Sequence, residues 1–255
     1  MSYSKYTILL QNTNILAFIW LIIVNALANT LALNGKTTGE ISNLYPTQVT
    51  PAGYVFSIWG LIYALLLIFV IFQVLPSQRD KPFLWQVSFL FALSCVFNIS
   101  WLFLWHYGQI VLSVLPMFGL LATLIAIYLR LNIGKANVPI KERIYVHLPF
   151  SVYLGWITVA SITNVAAALV SINWDGWGLS DIYWGVIMIA IAAIITFTVI
   201  AARRDIAYSL VIVWALAGIA AKQGVNSTVL TAAAAGAVII AIALVVVNVA
   251  VRLRR

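Results

Sequence analysis

Apolar residues fill most of this chain in eight long runs that short polar stretches separate. The runs cover about residues 14–33, 51–74, 84–105, 109–130, 145–170, 182–202, 205–221 and 227–250. A helix needs roughly 20 predominantly apolar residues to cross a bilayer, and most of the runs reach that length. The pattern predicts an all-α, polytopic integral membrane helical bundle of about eight transmembrane helices.

The first run has an alternative interpretation as a cleavable signal peptide. Polar residues with Lys5 precede it, and Ala26-Leu27-Ala28 offers a small-residue cleavage site. The apolar core of a signal peptide is only about 7–15 residues long, whereas this run continues to Leu33. We therefore expect residues 14–33 to form the first membrane helix.

Basic residues in the connecting loops predict the orientation. When alternate loops are assigned to the two sides of the membrane, 12 of the 14 Lys and Arg residues fall on one side. They are Lys5, Arg79, Lys81, Arg130, Lys135, Lys141, Arg143, Arg203, Arg204, Arg252, Arg254 and Arg255. Only Lys36 and Lys222 fall on the other side. Because cytoplasmic loops are enriched in Lys and Arg, we expect both termini to be cytoplasmic.

Composition excludes several function classes. The chain is 64% hydrophobic and 8% charged, whereas soluble domains carry about 25% charged residues. The net charge of +8 lies in short loops, where it sets topology, so the expected partner is the lipid bilayer and not nucleic acid. The single cysteine, Cys95, excludes an internal disulfide and a thiolate metal site.

Ionisable residues are missing from the interior of the predicted spans. The six acidic residues lie in loops or near span ends: Glu40, Asp80, Glu142, Asp175, Asp181 and Asp205. Ion-coupled transporters usually carry an intramembrane ionisable residue, so this pattern disfavours them. Because the sequence also lacks a phosphate-binding glycine loop and a plausible nucleophile–base pair, we predict no catalytic residue and no metal site.

The second run opens with an aromatic face. Pro51 stands where a helix start favours proline. Phe56, Trp59 and Tyr63 follow at steps of three and four residues, which places three rings on one helix face. Such a face is usually packing, but here it begins at a membrane boundary, where it can also form the wall of a binding site.

Asparagines are the main polar residues inside the spans. They are Asn25, Asn29, Asn98, Asn164 and Asn248. With the predicted topology, the first four share a layer in the outer half of the membrane with Trp59. Two interpretations stay open: the asparagines join helices, or they converge on a mostly apolar small-molecule pocket.

Three motifs resemble the tryptophan-rich sensory protein (TspO/MBR) family, which includes the translocator protein, also called the peripheral benzodiazepine receptor. The first is the opening of the second span, Pro51…Phe56…Trp59…Tyr63. The others are Asn98-Ile99-Ser100-Trp101 in the third span and Tyr153…Trp156…Ala160…Asn164 in the fifth. The resemblance covers the first five spans. It implies a TspO/MBR-like membrane domain over residues 1–171, followed by a three-helix membrane extension over residues 172–255.

The resemblance implies a ligand and a place for it. A flat hydrophobic molecule, either a tetrapyrrole (porphyrin or haem) or a sterol-like compound, would bind in the outer half of the bundle beneath the 34–50 loop. The implied site residues are Phe56, Trp59, Tyr63, Asn98, Trp101, Trp156, Ala160 and Asn164. No cofactor is required. The implied setting is the bacterial cell (inner) membrane, with a homodimer as a candidate assembly.

Three function classes fit these expectations. We rank first a membrane receptor or sensor of the flat ligand. An uncoupled transporter of small hydrophobic molecules is second, because ionisable residues are missing from the spans. An enzyme that degrades porphyrin under light is third, so the sequence favours a protein that is not an enzyme.

Overall fold

The computed structural model describes residues 3–30, 33–224 and 227–253. Within these ranges the α-helices are α1 (Tyr3–Thr30), α2 (Thr38–Leu44), α3 (Ile58–Val74), α4 (Pro82–Val87), α5 (Leu90–His106), α6 (Ile110–Arg130), α7 (Ile140–Glu142), α8 (Leu148–Ser171), α9 (Asp181–Arg203), α10 (Ile206–Lys222) and α11 (Thr228–Leu253). A 3-10 turn, Gly53–Ser57, leads into α3, and a π-helical turn, Arg143–His147, joins α7 to α8.

Each of the eight predicted spans contains one long apolar helix. Six helical stretches are long and apolar enough to cross a membrane: Lys5–Thr30, Gly53–Val74, Ile110–Arg130, Ile140–Ser171, Asp181–Arg203 and Thr228–Ala250. The other two, α5 and α10, have 17 residues each, which is the lower limit of about 17 for a membrane span. The prediction of a polytopic helical membrane bundle is confirmed.

The boundaries differ from the sequence prediction in three places. α1 begins at Tyr3 instead of residue 14, and positions 31–32 of the first predicted span lie outside the described residues, as do Arg254 and Arg255 of the charge pattern. The third predicted span is broken: α4 ends at Val87, the next residue, Ser88, adopts φ 49° and ψ −144°, and α5 starts at Leu90. The 34–50 stretch is not a plain loop, because it contains α2.

Five helices close into a ring. Around this ring α1 contacts α5, α5 contacts α6, α6 contacts α8, α8 contacts α3, and α3 returns to α1. The aromatic and polar residues singled out in the sequence therefore come from helices that surround one centre.

α8 belongs to the ring and also carries the C-terminal helices. α10 packs on it, and α9 and α11 pack on α10 and on each other. Residues 149–161 of α8 are buried without interruption, as expected for a helix with protein on every side. Gly155 permits the close approach of α10, since a Cβ there would lie 2.9 Å from the Tyr208 carbonyl oxygen.

α10 also supports the segment that leads into α3. The backbone N–H of Ala52 donates to the carbonyl oxygen of Gly218 at 3.0 Å, and a Cβ on Gly218 would meet Val55 Cγ2 at 2.1 Å. The α-helix begins only at Ile58. Pro51 therefore precedes a 3-10 turn and is not the first residue of the α-helix, so that prediction is wrong.

Candidate functional site

Trp59 lies at the centre of an aromatic cluster inside the ring. Its ring stacks on Tyr63 and on Trp101, with centroids 5.5 and 6.1 Å away. Trp156 meets the Trp59 ring at 84° and 6.1 Å, which is the edge-to-face geometry that aromatic pairs favour. Phe56 packs edge-on against Trp156 at 6.0 Å. α3, α5 and α8 thus each contribute at least one ring to the same cluster.

A buried chain of hydrogen bonds runs beneath this cluster. The Tyr63 hydroxyl donates to Asn25 Oδ1 at 2.6 Å, and Asn25 Nδ2 donates to Asn98 Oδ1 at 3.2 Å. Asn98 Nδ2 then donates to the Tyr153 hydroxyl at 2.9 Å. Asn98 is 0% exposed and Tyr153 is 1% exposed. Because every bond joins two different helices, this chain connects α3, α1, α5 and α8.

A second polar group joins α5, α6 and α8. Trp101 Nε1 donates to Asn164 Oδ1 at 2.6 Å. Asn164 Nδ2 donates to Ser113 Oγ at 3.0 Å. The N–H of Trp101 and the amide of Asn164 are therefore already satisfied within the protein.

A small cavity lies between the aromatic cluster and α2. Its walls are Thr38, Ser42, Pro51, Phe56, Trp59, Trp101, Trp105, Trp156, Val159, Ala160, Thr163 and Asn164. The free volume is about 30 Å³. A water molecule needs roughly 10–15 Å³ by this measure, and ligand pockets span about 300–1,000 Å³. The cavity is therefore closed to any ligand larger than a few water molecules.

α2 is the roof of the cavity. Its N-terminus has a capping box: the Thr37 hydroxyl accepts from the Glu40 N–H, and the Glu40 carboxylate accepts from the Thr37 N–H at 2.7 Å. The Thr37 hydroxyl also donates to the Glu40 carboxylate at 2.9 Å, and the bonds from the Thr37 N–H and hydroxyl lower the pKa of Glu40 from its ordinary value. Trp105 Nε1 donates to the Thr38 carbonyl oxygen at 3.2 Å, which ties α2 to α5.

Trp156 is the one tryptophan of the cavity wall whose fully buried N–H is unsatisfied. The side chain is 3% exposed, and Nε1 makes no hydrogen bond with any described residue. A buried donor without a partner costs about 1–3 kcal/mol. Among the described residues, the walls contain no charged side chain, so the site offers aromatic rings, the hydroxyls of Thr38 and Ser42, and the buried, unpartnered N–H of Trp156.

The structure brings the eight predicted site residues together in two groups. Six line the cavity: Phe56, Trp59, Trp101, Trp156, Ala160 and Asn164. The other two, Tyr63 and Asn98, lie in the hydrogen-bonded chain behind the cluster and do not line the cavity.

Three further wall residues, Thr38, Ser42 and Trp105, were not predicted from the sequence. Trp105 follows Trp101 by four residues, so helical spacing already placed it on the same face. Thr37-x-x-Glu40 is a capping-box pattern that could have revealed α2 and hence its two wall residues. Among the described residues, no three His, Cys, Asp or Glu side chains come together as metal ligands would.

A family model for TSPO-like proteins matches residues 9–246. The chain belongs to the TSPO-like protein family. The match includes α9, α10 and most of α11, which the five-helix resemblance left without a counterpart. No curated protein matches the chain, and no solved structure does so either. This TSPO-like chain is therefore an integral membrane protein whose family pattern extends over all eight long helices.

Proposed function

We propose that this TSPO-like protein binds a flat hydrophobic small molecule of the tetrapyrrole class between α2 and the Trp59 cluster. The observation that carries the proposal is that Trp156 lines a cavity walled by aromatic rings and that its buried N–H has no hydrogen-bond partner among the described residues. Such a site suits a ligand that stacks on tryptophan and presents one hydrogen-bond acceptor, for example a carboxylate. Porphyrins with carboxylate side chains have both features.

Binding requires the closed cavity to expand. The free volume of about 30 Å³ cannot hold a tetrapyrrole, so α2 must move and the Trp59 ring must leave part of its stack. The bond from Trp105 to Thr38 is the direct tie of α2 to α5 that would break. The ligand would then replace the aromatic contacts that the cluster makes with itself.

The geometry favours a receptor, which binds the ligand without passing it across the membrane. Beneath the cluster, the fully buried Asn98 and Tyr153 are bonded to each other, and this closes the inner side of the cavity. An uncoupled transporter would need a route through this bonded layer. Proteoliposomes that bind porphyrin without equilibrating it across the bilayer would agree with a receptor.

The test compares two porphyrins by quenching of tryptophan fluorescence. Protoporphyrin carries carboxylates, whereas etioporphyrin has only alkyl substituents. Trp156→Phe keeps a ring but removes the N–H, so it should weaken protoporphyrin binding by about tenfold and leave etioporphyrin nearly unchanged. Trp20→Phe is the matched control, because Trp20 is 61% exposed on the outer surface of α1.

Two outcomes would contradict the proposal. Equal affinity of wild type and Trp156→Phe for protoporphyrin would show that the N–H does not contact the ligand. An equal loss in Trp20→Phe would show that the porphyrin adsorbs to the apolar surface. Illumination of the complex distinguishes an enzyme, since formation of a new absorbing product would indicate porphyrin degradation.

A further inference from the structure

A second cavity, of about 560 Å³, lies at the opposite end of the bundle from α2. It is formed by the loop after α6, the π-helical turn before α8, the start of α10 and the end of α11. Its polar wall residues are Arg143, His147, Ser151, Arg204, Asp205 and Asn248. None of them lines the cavity beneath α2, so the two sites are separate.

The positive charges of this cavity are not neutralised within it. The guanidinium groups of Arg143 and Arg204 make no hydrogen bond or ion pair across residues 3–30, 33–224 and 227–253, whereas their backbone N–H groups are bonded within the chain. The one acidic wall residue, Asp205, is the N-cap of α10 and accepts from the Tyr208 N–H at 3.2 Å and from the Ser151 hydroxyl. The cavity wall therefore has two arginines and one carboxylate whose oxygens already have partners, which leaves an excess of positive charge.

His147 adds an unsatisfied polar atom to the same wall. The side chain is 5% exposed, and its Nε2 has no hydrogen-bond partner among the described residues. Because an unpaired buried polar atom is unfavourable, a polar group of a ligand that reached this nitrogen would be stabilised by it.

An apolar groove continues from the cavity along the outside of the bundle. The groove has a volume of about 420 Å³ and runs between α3, α8 and α10. Its walls include Leu61, Val152, Leu210 and Trp214. Leu148 and Ala207 line both the groove and the cavity, so the two spaces meet at these residues.

We propose that the cavity and the groove together bind one anionic phospholipid. The phosphate would lie between Arg143 and Arg204, since guanidinium groups match phosphate oxygens in geometry and charge. One acyl chain would then lie along the groove towards Trp214. Basic cavities between membrane helices are known to bind anionic lipid headgroups. The apolar groove favours a lipid over a free phosphate ion, because a phosphate ion has no apolar part to place there.

The experiment is native mass spectrometry of the purified full-length protein titrated with phosphatidylglycerol or phosphatidylcholine. Three variants are compared with wild type. Arg143→Gln/Arg204→Asn removes both cavity charges, with asparagine at 204 because that residue has φ 56°, which asparagine tolerates. Arg79→Gln/Arg130→Gln is the control, with the same loss of charge outside the cavity. Ala207→Trp fills the junction between cavity and groove.

Wild type should bind phosphatidylglycerol at least about tenfold more tightly than phosphatidylcholine. The cavity double variant and Ala207→Trp should each weaken phosphatidylglycerol binding by about tenfold or more, while the control stays within about threefold of wild type. Elution of every variant at the wild-type volume in size exclusion shows that folding is retained. A cavity variant that elutes abnormally is replaced by the single change Arg143→Gln, which should weaken binding by about fivefold.

Three results would overturn the proposal. Unchanged binding by the cavity variants would show that the arginines do not hold the headgroup. An equal loss in the control would show that only the overall charge of this face attracts the lipid. Displacement of the lipid by excess inorganic phosphate, with Ala207→Trp unaffected, would make a free anion the ligand.

Discussion

Replacing Asn98 by leucine tests the buried chain that holds the ring of helices together. The change removes two bonds between helices, one from Asn25 and one to Tyr153. Such bonds contribute about 0.6 kcal/mol each on average within a membrane. The Tyr153 hydroxyl also loses its partner, which costs about 1–3 kcal/mol. Leucine fills most of the same space, so we expect a total loss of about 2–4 kcal/mol in the free energy of unfolding.

The assay is reversible unfolding in mixed detergent micelles followed by circular dichroism. Asn29→Leu is the matched control, because among the described residues the Asn29 side chain bonds only to the Asn25 carbonyl oxygen of its own helix. A double-mutant cycle of Asn98→Leu with Tyr153→Phe should give a coupling energy of about 0.6–1.7 kcal/mol. If Asn98→Leu costs no more than Asn29→Leu, the chain does not stabilise the ring and our reasoning is wrong.

Three further predictions concern α2, the orientation in the membrane and the cavity beneath α2. Glu40 has a lowered pKa, so its capping contribution is present at neutral pH and is lost as the pH falls through the pKa of Glu40 in the folded protein. The protection of the α2 amides from hydrogen exchange, relative to the intrinsic rate at each pH, should therefore fall in acid, and Glu40→Gln should remove this dependence. In a Cys95→Ala background, a cysteine placed by Asn43→Cys should react with a membrane-impermeant reagent in intact cells, whereas one placed by Asn137→Cys should not. The reverse labelling pattern would show that the predicted orientation is wrong. Ala160→Phe should fill the closed cavity and weaken protoporphyrin binding more than tenfold in a fluorescence titration; unchanged affinity would place the ligand elsewhere.

The local sequence pattern was sufficient to predict the helices and much of the cavity wall. The length and apolarity of a span are local properties, so α6, α9 and α10 start and end within a few residues of the predicted runs. Helical spacing likewise placed Trp59 and Tyr63 on one face, where their rings stack. The break at Ser88 interrupts a run that is apolar on both sides, so hydropathy alone does not show it.

Contacts between helices that are distant in the sequence could not be predicted from the local sequence pattern. The sequence placed Asn25 and Asn98 in one layer, but only the packing of α1 on α5 decides that they bond to each other. For these two residues the interpretation as helix–helix bonds is the one that the structure supports. The second cavity is a stronger example, because Arg143 and Arg204 lie 61 positions apart and no shared motif connects them.

The Trp156 N–H resonance tests the proposed ligand site most directly. In protein labelled with ¹⁵N-tryptophan, Trp156→Phe identifies the indole signal by its absence. Addition of protoporphyrin should shift this signal downfield, as a free N–H gains a charged acceptor, while etioporphyrin should not produce the downfield shift. If protoporphyrin leaves the Trp156 signal in place and shifts that of exposed Trp177 instead, the porphyrin binds outside the cavity and the proposed function is wrong.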